Sequence, residues 1–150
     1  MNKSYERLLR EGRIRSHRPR RDEIAQVLAI VQRDLDDAGL PGLSPDRRFA
    51  TAYNAILQAA RALMLSEGYR SHGMGHHATT FDFLAEGLGE EYTELVNYFD
   101  DCRRKRNLAD YTGVGYVSET EADELLVEAR AFGRFAREWI ESNHPELIEQ

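Results

Sequence analysis

Cysteine is almost absent from this 150-residue sequence, which contains a single one, Cys102. A lone thiol cannot close an intrachain disulfide, so a disulfide-bonded scaffold is excluded and a reducing cytoplasm is favoured. Long hydrophobic runs are absent as well: the longest wholly aliphatic stretch, 27–31, has five residues, whereas about 20 are needed to span a bilayer. The charged N-terminus lacks the apolar segment of a signal peptide. We therefore expect a small cytoplasmic protein with no membrane partner.

Positive charge is scarce outside one segment. The sequence has 20 basic and 26 acidic residues, a formal net charge of −6. Residues 1–21 contain eight of the basic residues and only two acidic ones, which gives +6 there and leaves −12 on the rest. We therefore divide the chain into a basic N-terminal arm over 1–21, an acidic body over 22–145 and a tail over 146–150. The arm either contacts a phosphate backbone or lies on an acidic surface of its own chain or of a second copy.

Apolar residues recur at the three- and four-residue spacing of helices, and no segment of useful length alternates with period two. The long stripes begin at Ile24, Phe49, Tyr92 and Ala122. Ser44 and Ser118 are placed to cap the second and the fourth of these helices. Shorter helices are expected over 4–11 and 76–86. The pattern predicts an all-α bundle with about four main helices.

The second stripe, between Phe49 and Leu63, consists mainly of small residues that let another helix approach closely. This face and the basic arm are both surfaces that a second copy of the chain would bury. We therefore predict a homodimer.

The stretch 73–78 has the spacing of a dinucleotide-binding turn, with Gly73, Gly75 and Ala78 at the diagnostic positions. That turn holds a pyrophosphate because a strand delivers the glycines to a helix N-terminus. Here we expect a helix, not a strand, to precede the glycines, and therefore no dinucleotide site and no cofactor. A helix that begins near His76 still offers its N-terminus to an isolated anion.

Three of the five histidines lie together, at His72, His76 and His77. Because His76 and His77 are adjacent, their side chains diverge by about 100° on a helix and do not easily chelate one ion together. We therefore expect no metal site. The histidines either hydrogen-bond within a polar loop, or one of them contacts a substrate.

A second concentration of positive charge, the basic run 103–106, lies inside the acidic body. Phe99 and Cys102 belong to the apolar stripe of its helix, where we expect the cysteine to be buried as a small hydrophobic residue. Arg106 follows Phe99 by seven residues and continues the same stripe. A guanidinium on an apolar face requires a carboxylate, helix-end carbonyls or an anionic ligand.

Polar residues follow Arg106 towards the end of this helix, ahead of a glycine loop. The predicted anion-binding pocket consists of Arg103, Arg106, Asn107, Asp110 and Tyr111. His72, His76 and His77 are further candidates for this pocket. The alternative is structural, since Asp110 lies four residues after Arg106 and would form an ion pair with it.

Several segments together resemble a HEPN domain. The resemblance extends from about Arg48 to Trp139 and rests on Tyr53-Asn54-Ala55, Ala59-Ala60-Arg61-Ala62-Leu63, Gly68-Tyr69-Arg70, Gly75-His76-His77, Arg103-Arg104-Lys105-Arg106-Asn107 and Asp110-Tyr111. It implies an antiparallel four-helix bundle with additional short helices, commonly dimeric. Members of this family act as ribonucleases, as toxins beside a small nucleotidyltransferase partner, or as non-catalytic modules that bind a nucleotide or RNA.

The ribonuclease motif of this family is only half present. Its arginine stabilises phosphate charge, and a histidine after the following polar residue and a short spacer acts as general acid and base on the ribose 2′-hydroxyl. Arg106 and Asn107 match the first half, but no histidine follows before His144. The resemblance therefore implies a non-catalytic domain that binds a nucleotide, RNA or a nucleotidyltransferase-type partner, in a toxin–antitoxin or defence context. The alternative is a metal-independent ribonuclease in which Tyr111 or a histidine of the 72–77 loop replaces the missing base, and a scaffold or antitoxin-like partner would leave these residues structural.

Overall fold

The computed structural model describes residues 5–112 and 116–148, with side chains for 5–107 and 116–148. Most of the chain is helical, which confirms the all-α class. The elements are α1 (Glu6–Arg10), β1 (Ile14–Ser16), α2 (Arg21–Ala38), α3 (Pro45–Ser66), β2 (Tyr69–Ser71), α4 (His76–Leu88), α5 (Thr93–Thr112) and α6 (Glu119–Asn143), with single 3₁₀ turns at Glu90–Tyr92 and Pro145–Leu147. Within the described ranges, no helix combines the length and the apolar character needed to cross a membrane.

Two of the long helices begin at the serine caps that the sequence predicts. Ser44 Oγ accepts a hydrogen bond from the backbone N–H of Arg47 at 3.3 Å. Ser118 Oγ accepts from the N–H of Glu121 at 3.1 Å, while Glu121 Oε1 accepts from the N–H of Ser118 at 3.0 Å. Each bond satisfies an amide that the helix itself leaves without a partner.

Small residues make α3 the central helix. It packs against both α2 and α6, and its most deeply buried small side chains are Ala52, Ala55, Ala59, Ala60 and Ala62, each no more than 1% exposed. Methyl side chains allow neighbouring helices to approach closely. The chain's own helices therefore cover the stripe on which we expected a second copy to pack.

A two-stranded antiparallel ribbon, β1 with β2, is absent from the sequence-based prediction. Its register places Ile14 opposite Ser71 and Arg15 opposite Arg70. Strands of three residues are too short to show an alternating pattern, which is why the periodicity did not reveal them. The expectation that no strand precedes Gly73 was therefore wrong, since β2 lies between α3 and the glycines. The ribbon is antiparallel, however, whereas the dinucleotide turn belongs to a parallel β-α-β unit.

Residues 5–16 of the basic arm pack onto the body of the same chain. Tyr5, Leu8 and Ile14 are buried in one apolar cluster together with Met64 and Phe83. The rings of Tyr5 and Phe83 stack with their centroids 4.1 Å apart. This segment therefore contributes to the buried interior.

Ion pairs hold the same segment to α4. Arg7 Nε lies 2.9 Å from Glu86 Oε1, and an Arg13 guanidinium nitrogen lies 2.5 Å from Asp82 Oδ2. Of the two expectations for the arm, contact with an acidic surface of its own chain is the one that these residues display.

Candidate functional site

The basic run 103–106 divides between two sides of α5. Arg104 pairs with Asp101 at 3.0 Å, and Lys105 Nζ lies 2.6 Å from Glu121 Oε2 and 4.6 Å from the Tyr116 ring centroid. The charges of Arg104 and Lys105 are therefore paired with side chains of the same chain. Arg103 and Arg106 instead lie on the side of α5 that faces α3 and α4.

Tyr53 of α3 connects Arg106 to a histidine. The Arg106 guanidinium carbon lies 5.8 Å from the centroid of the Tyr53 ring, which is within the range of a cation–π interaction. The Tyr53 hydroxyl lies 3.1 Å from His77 Nδ1. Tyr53 is only 1% exposed, so the packing of α3 fixes its ring. We call Tyr53, His77, Arg103 and Arg106 the arginine–histidine cluster.

Burial and positive charge favour the neutral form of His77. Its pKa lies below the ordinary value near 6.5, first because burial disfavours the charged ring and then because Arg106 and Arg103 repel a proton. Burial raises the pKa of the Tyr53 hydroxyl, although the two arginines oppose this shift. At neutral pH the cluster therefore contains a protonated tyrosine, a neutral imidazole and two guanidinium groups.

Arg103 is oriented by a carboxylate of its own helix. Its Nε donates to Asp100 Oδ1 at 2.8 Å, and this hydrogen bond is the main reason why the pKa of Arg103 is raised. The other oxygen of Asp100 lies 2.6 Å from an Arg104 guanidinium nitrogen. One carboxylate therefore serves two guanidinium groups and fixes the direction of Arg103.

Histidines 76 and 77 diverge as expected for adjacent residues of a helix. His76 is exposed, and its Nδ1 lies 2.7 Å from Ser71 Oγ, whereas Nδ1 of His77 contacts the Tyr53 hydroxyl. His72 is half-buried, and its pKa is lowered by burial and then by Arg15 and Arg70. The three histidines therefore face different surroundings, and only His77 belongs to the cluster.

The remaining predicted pocket residues are only partly described. Asn107 is exposed on α5. Asp110 and Tyr111 lie in the part of α5 whose side chains fall outside the described residues, and so does the predicted ion pair between Arg106 and Asp110. Among the described residues, no group of three or more His, Cys, Asp or Glu side chains is placed to hold a metal ion.

Cys102, the single cysteine, is buried as predicted. It is 5% exposed, and burial raises the pKa of its thiol to about 12. A thiol of this kind stays protonated at neutral pH, whereas the thiolate is the nucleophilic form. Cys102 therefore belongs to the hydrophobic core.

Sequence reasoning did not select Tyr53 as a residue of the pocket. Tyr53 carries a signal only within the family resemblance, because an aromatic residue in an apolar helix is typical of a protein core. The signal that identifies it is its contact with α4 and α5, and that contact appears only when the helices are assembled.

No protein-family model, no curated protein and no solved structure matches this chain.

Proposed function

We propose that the chain is a HEPN-like four-helix-bundle domain that binds the phosphate groups of a nucleotide or of RNA at the arginine–histidine cluster, without cleaving them. Four long helices, α2, α3, α5 and α6, support the proposal of a bundle, because their order along the chain agrees with the one that the resemblance implies. The arginine of the resemblance, Arg106, lies where α3, α4 and α5 meet.

The observation that carries this proposal is the chain of contacts from Arg106 over the Tyr53 ring to His77. A guanidinium beside a buried ring presents planar N–H donors, and such donors match the oxygens of a phosphate. Within the described residues, hydrogen bonding of His77 is confined to Nδ1, so Nε2 is available for a ligand. A phosphate facing this cluster would contact Arg103, Arg106 and the His77 ring.

Substitution of Arg106 tests the proposal. We expect Arg106→Ala to weaken the binding of a mononucleotide or of a short RNA by about 1.5–3 kcal/mol, the range for a hydrogen bond to a charged group. Isothermal titration calorimetry measures this change. Arg104→Ala is the matched control, because Arg104 is 60% exposed and pairs with Asp101 and Asp100.

Stability separates the binding role from a structural one. If Arg106 only holds a buried ion pair, Arg106→Ala costs about 3–5 kcal/mol of unfolding free energy because the partner charge is left without compensation. Such a loss of stability, together with unchanged nucleotide affinity, contradicts the proposal. Equal effects of Arg104→Ala and Arg106→Ala on affinity contradict it as well.

The position of His77 favours a second candidate function, metal-independent RNA cleavage. In that reaction the Nε2 of His77 accepts the proton of the ribose 2′-hydroxyl, the 2′-oxygen attacks phosphorus, and the 5′-oxygen leaves and takes up a proton. Cleavage that survives EDTA and is lost in Arg106→Ala and His77→Gln would establish it, and loss in Tyr111→Phe would assign a role to Tyr111. We expect no cleavage, because the family's histidine is missing after Asn107.

A homodimer and a small nucleotidyltransferase partner belong to the same proposal, and the resemblance supports both. The α3 stripe and residues 5–16 are occupied within the chain, so a dimer would form through other surfaces. Light scattering of the 17.2 kDa chain at micromolar concentration should give about twice this mass, and the monomer mass across that range would contradict the dimer.

A further inference from the structure

The outer face of the β1–β2 ribbon carries two arginines directly opposite each other. Arg15 and Arg70 are cross-strand partners, and both are exposed. In the described part of the chain neither side chain takes part in an ion pair, whereas Arg7 and Arg13 of the same segment are paired with Glu86 and Asp82. Arg7 and Arg13 therefore hold the arm to α4, whereas Arg15 and its cross-strand partner Arg70 face solvent.

Like charges directly opposite each other destabilise an antiparallel pair. The ribbon maintains this arrangement on a chain with an excess of acidic residues, where a carboxylate partner would be easy to supply. His72, the residue after β2, lies close enough to Arg15 and Arg70 for their charges to act on it. An anionic ligand on this face would offset the repulsion between the two arginines.

The first turns of α4 connect this face to the arginine–histidine cluster. Arg13 lies just before β1, and its Nε donates to Thr79 Oγ1 of α4 at 3.1 Å. Its Asp82 partner is also close enough to Arg103 to act on that side chain electrostatically. The ion pair between Arg13 and Asp82 therefore lies between Arg103 and the ribbon, where Arg15 and Arg70 are exposed.

We infer that the ribbon face binds further phosphates of the same strand whose first phosphate occupies the arginine–histidine cluster. The inference rests on the proposed function and specifies its ligand class, a single-stranded nucleic acid of several nucleotides rather than a mononucleotide. The chemistry shared by the RNA and DNA forms of this ligand is the phosphodiester backbone, which guanidinium groups bind in a salt-dependent way.

Charge distribution favours a narrow strand over a flat anionic membrane. The chain outside residues 1–21 carries a net charge of −12, and a membrane surface would bring that acidic body near its own negative charge. A single strand instead contacts a narrow surface, so that most of the acidic body stays in solvent.

The experiment compares a double variant of the ribbon with a matched control in the full chain. Arg15→Gln with Arg70→Gln removes the two ribbon charges, and Arg130→Gln with Arg134→Gln removes two exposed arginines from α6. Fluorescence anisotropy measures binding of a 12-nucleotide RNA and a DNA of the same sequence, and calorimetry measures binding of a mononucleotide, at several salt concentrations.

We expect the ribbon variant to lower the affinity for the 12-nucleotide strand by about tenfold or more, because two contacts to charged phosphates are lost. The slope of affinity against salt should become shallower by about 1.4, since each contact to a single strand contributes about 0.7. The mononucleotide affinity should be unchanged, and so should every affinity of the α6 control. Comparison of the RNA with the DNA shows which form of the backbone the protein prefers.

The possible failures are distinguishable. The inference is wrong if the ribbon variant leaves strand affinity unchanged. It is also wrong if, with vesicles of anionic lipid as a further probe, the ribbon variant abolishes vesicle binding while strand binding persists. In either case the proposed function stands if Arg106→Ala still weakens mononucleotide binding. If the ribbon variant weakens strand binding but Arg106→Ala does not, the ribbon surface stands and the cluster assignment is wrong. Failure of the unmodified chain to bind either ligand contradicts both.

Discussion

The surroundings of His77 in the arginine–histidine cluster lower the pKa of its imidazole and so favour the neutral form. In the unfolded chain it takes up a proton near pH 6.5, but in the folded protein burial, Arg106 and Arg103 lower its pKa. Between these two pKa values the unfolded state binds more protons than the folded state. Linkage then requires that this residue's contribution to stability falls as the pH decreases below about 6.5, and levels off below the folded pKa.

We therefore predict that His77→Gln reduces the loss of stability between pH 7 and pH 5, because glutamine does not titrate. Urea unfolding at a series of pH values measures this slope. The matched control is His76→Gln, which changes the adjacent, exposed histidine that contacts Ser71. An unchanged slope in His77→Gln, or an equal change in the two variants, would contradict the shifted pKa.

Single residues of the cluster differ in how far the sequence reveals them. The seven-residue spacing from Phe99 placed Arg106 on the inner side of α5, and adjacency placed His76 and His77 on different sides of α4. Both inferences use only the geometry of one helix. The contact between Arg106 and Tyr53 joins two helices that are distant in sequence, so no pattern within either helix encodes it.

At the scale of elements, the ribbon is the place where local stability and charge conflict. Arg15 and Arg70 face each other across the two strands, and opposite charges at such a position contribute roughly 0.2–1 kcal/mol. We predict that Arg70→Glu raises the unfolding free energy by an amount in this range at low salt, and that the gain shrinks at high salt because exposed charges are screened. Urea denaturation at two salt concentrations measures the effect.

Two further variants separate pairing from simple loss of charge. Arg70→Gln removes the repulsion without adding an attraction, so its gain should be smaller. Arg15→Glu combined with Arg70→Glu restores two like charges and should lose the gain. A double variant as stable as Arg70→Glu alone would show that the two positions do not interact.

Elements with many periods were predictable, and elements with few were not. The stripes of α2, α3 and α6 repeat over 18 to 25 residues, and the caps at Ser44 and Ser118 mark two of their starts. β1 and β2 have three residues each, fewer than two periods of a strand. Their pairing depends on contact between residues about 55 positions apart, which local pattern does not carry.

At the scale of the whole molecule, the charge asymmetry of the sequence becomes an arrangement in space. The basic arm lies against acidic residues of α4 through Arg7 and Arg13, while Arg15 on β1 faces outward. The composition predicts that the arm contacts negative charge, but it leaves open whether that charge belongs to the same chain, to a second copy or to a nucleic acid. The apolar residues of the arm favour contact with the same chain, because they add the burial of apolar surface to the attraction between charges.

The last prediction tests whether the arm is part of the folding unit. Leu8 is 0% exposed in the cluster with Met64 and Phe83, whereas its neighbour Leu9 is 39% exposed. Leu8→Ala should therefore lower the unfolding free energy by about 2–5 kcal/mol, through lost burial and the cavity that remains. Leu9→Ala removes the same atoms from the next position of the same short helix and should cost less than about 0.5 kcal/mol. Both values follow from denaturant unfolding monitored by circular dichroism. If Leu8→Ala is as mild as Leu9→Ala, the Leu8 side chain does not contribute to the cooperative core, and the arm is held to α4 mainly by its polar contacts with Glu86, Asp82 and Thr79.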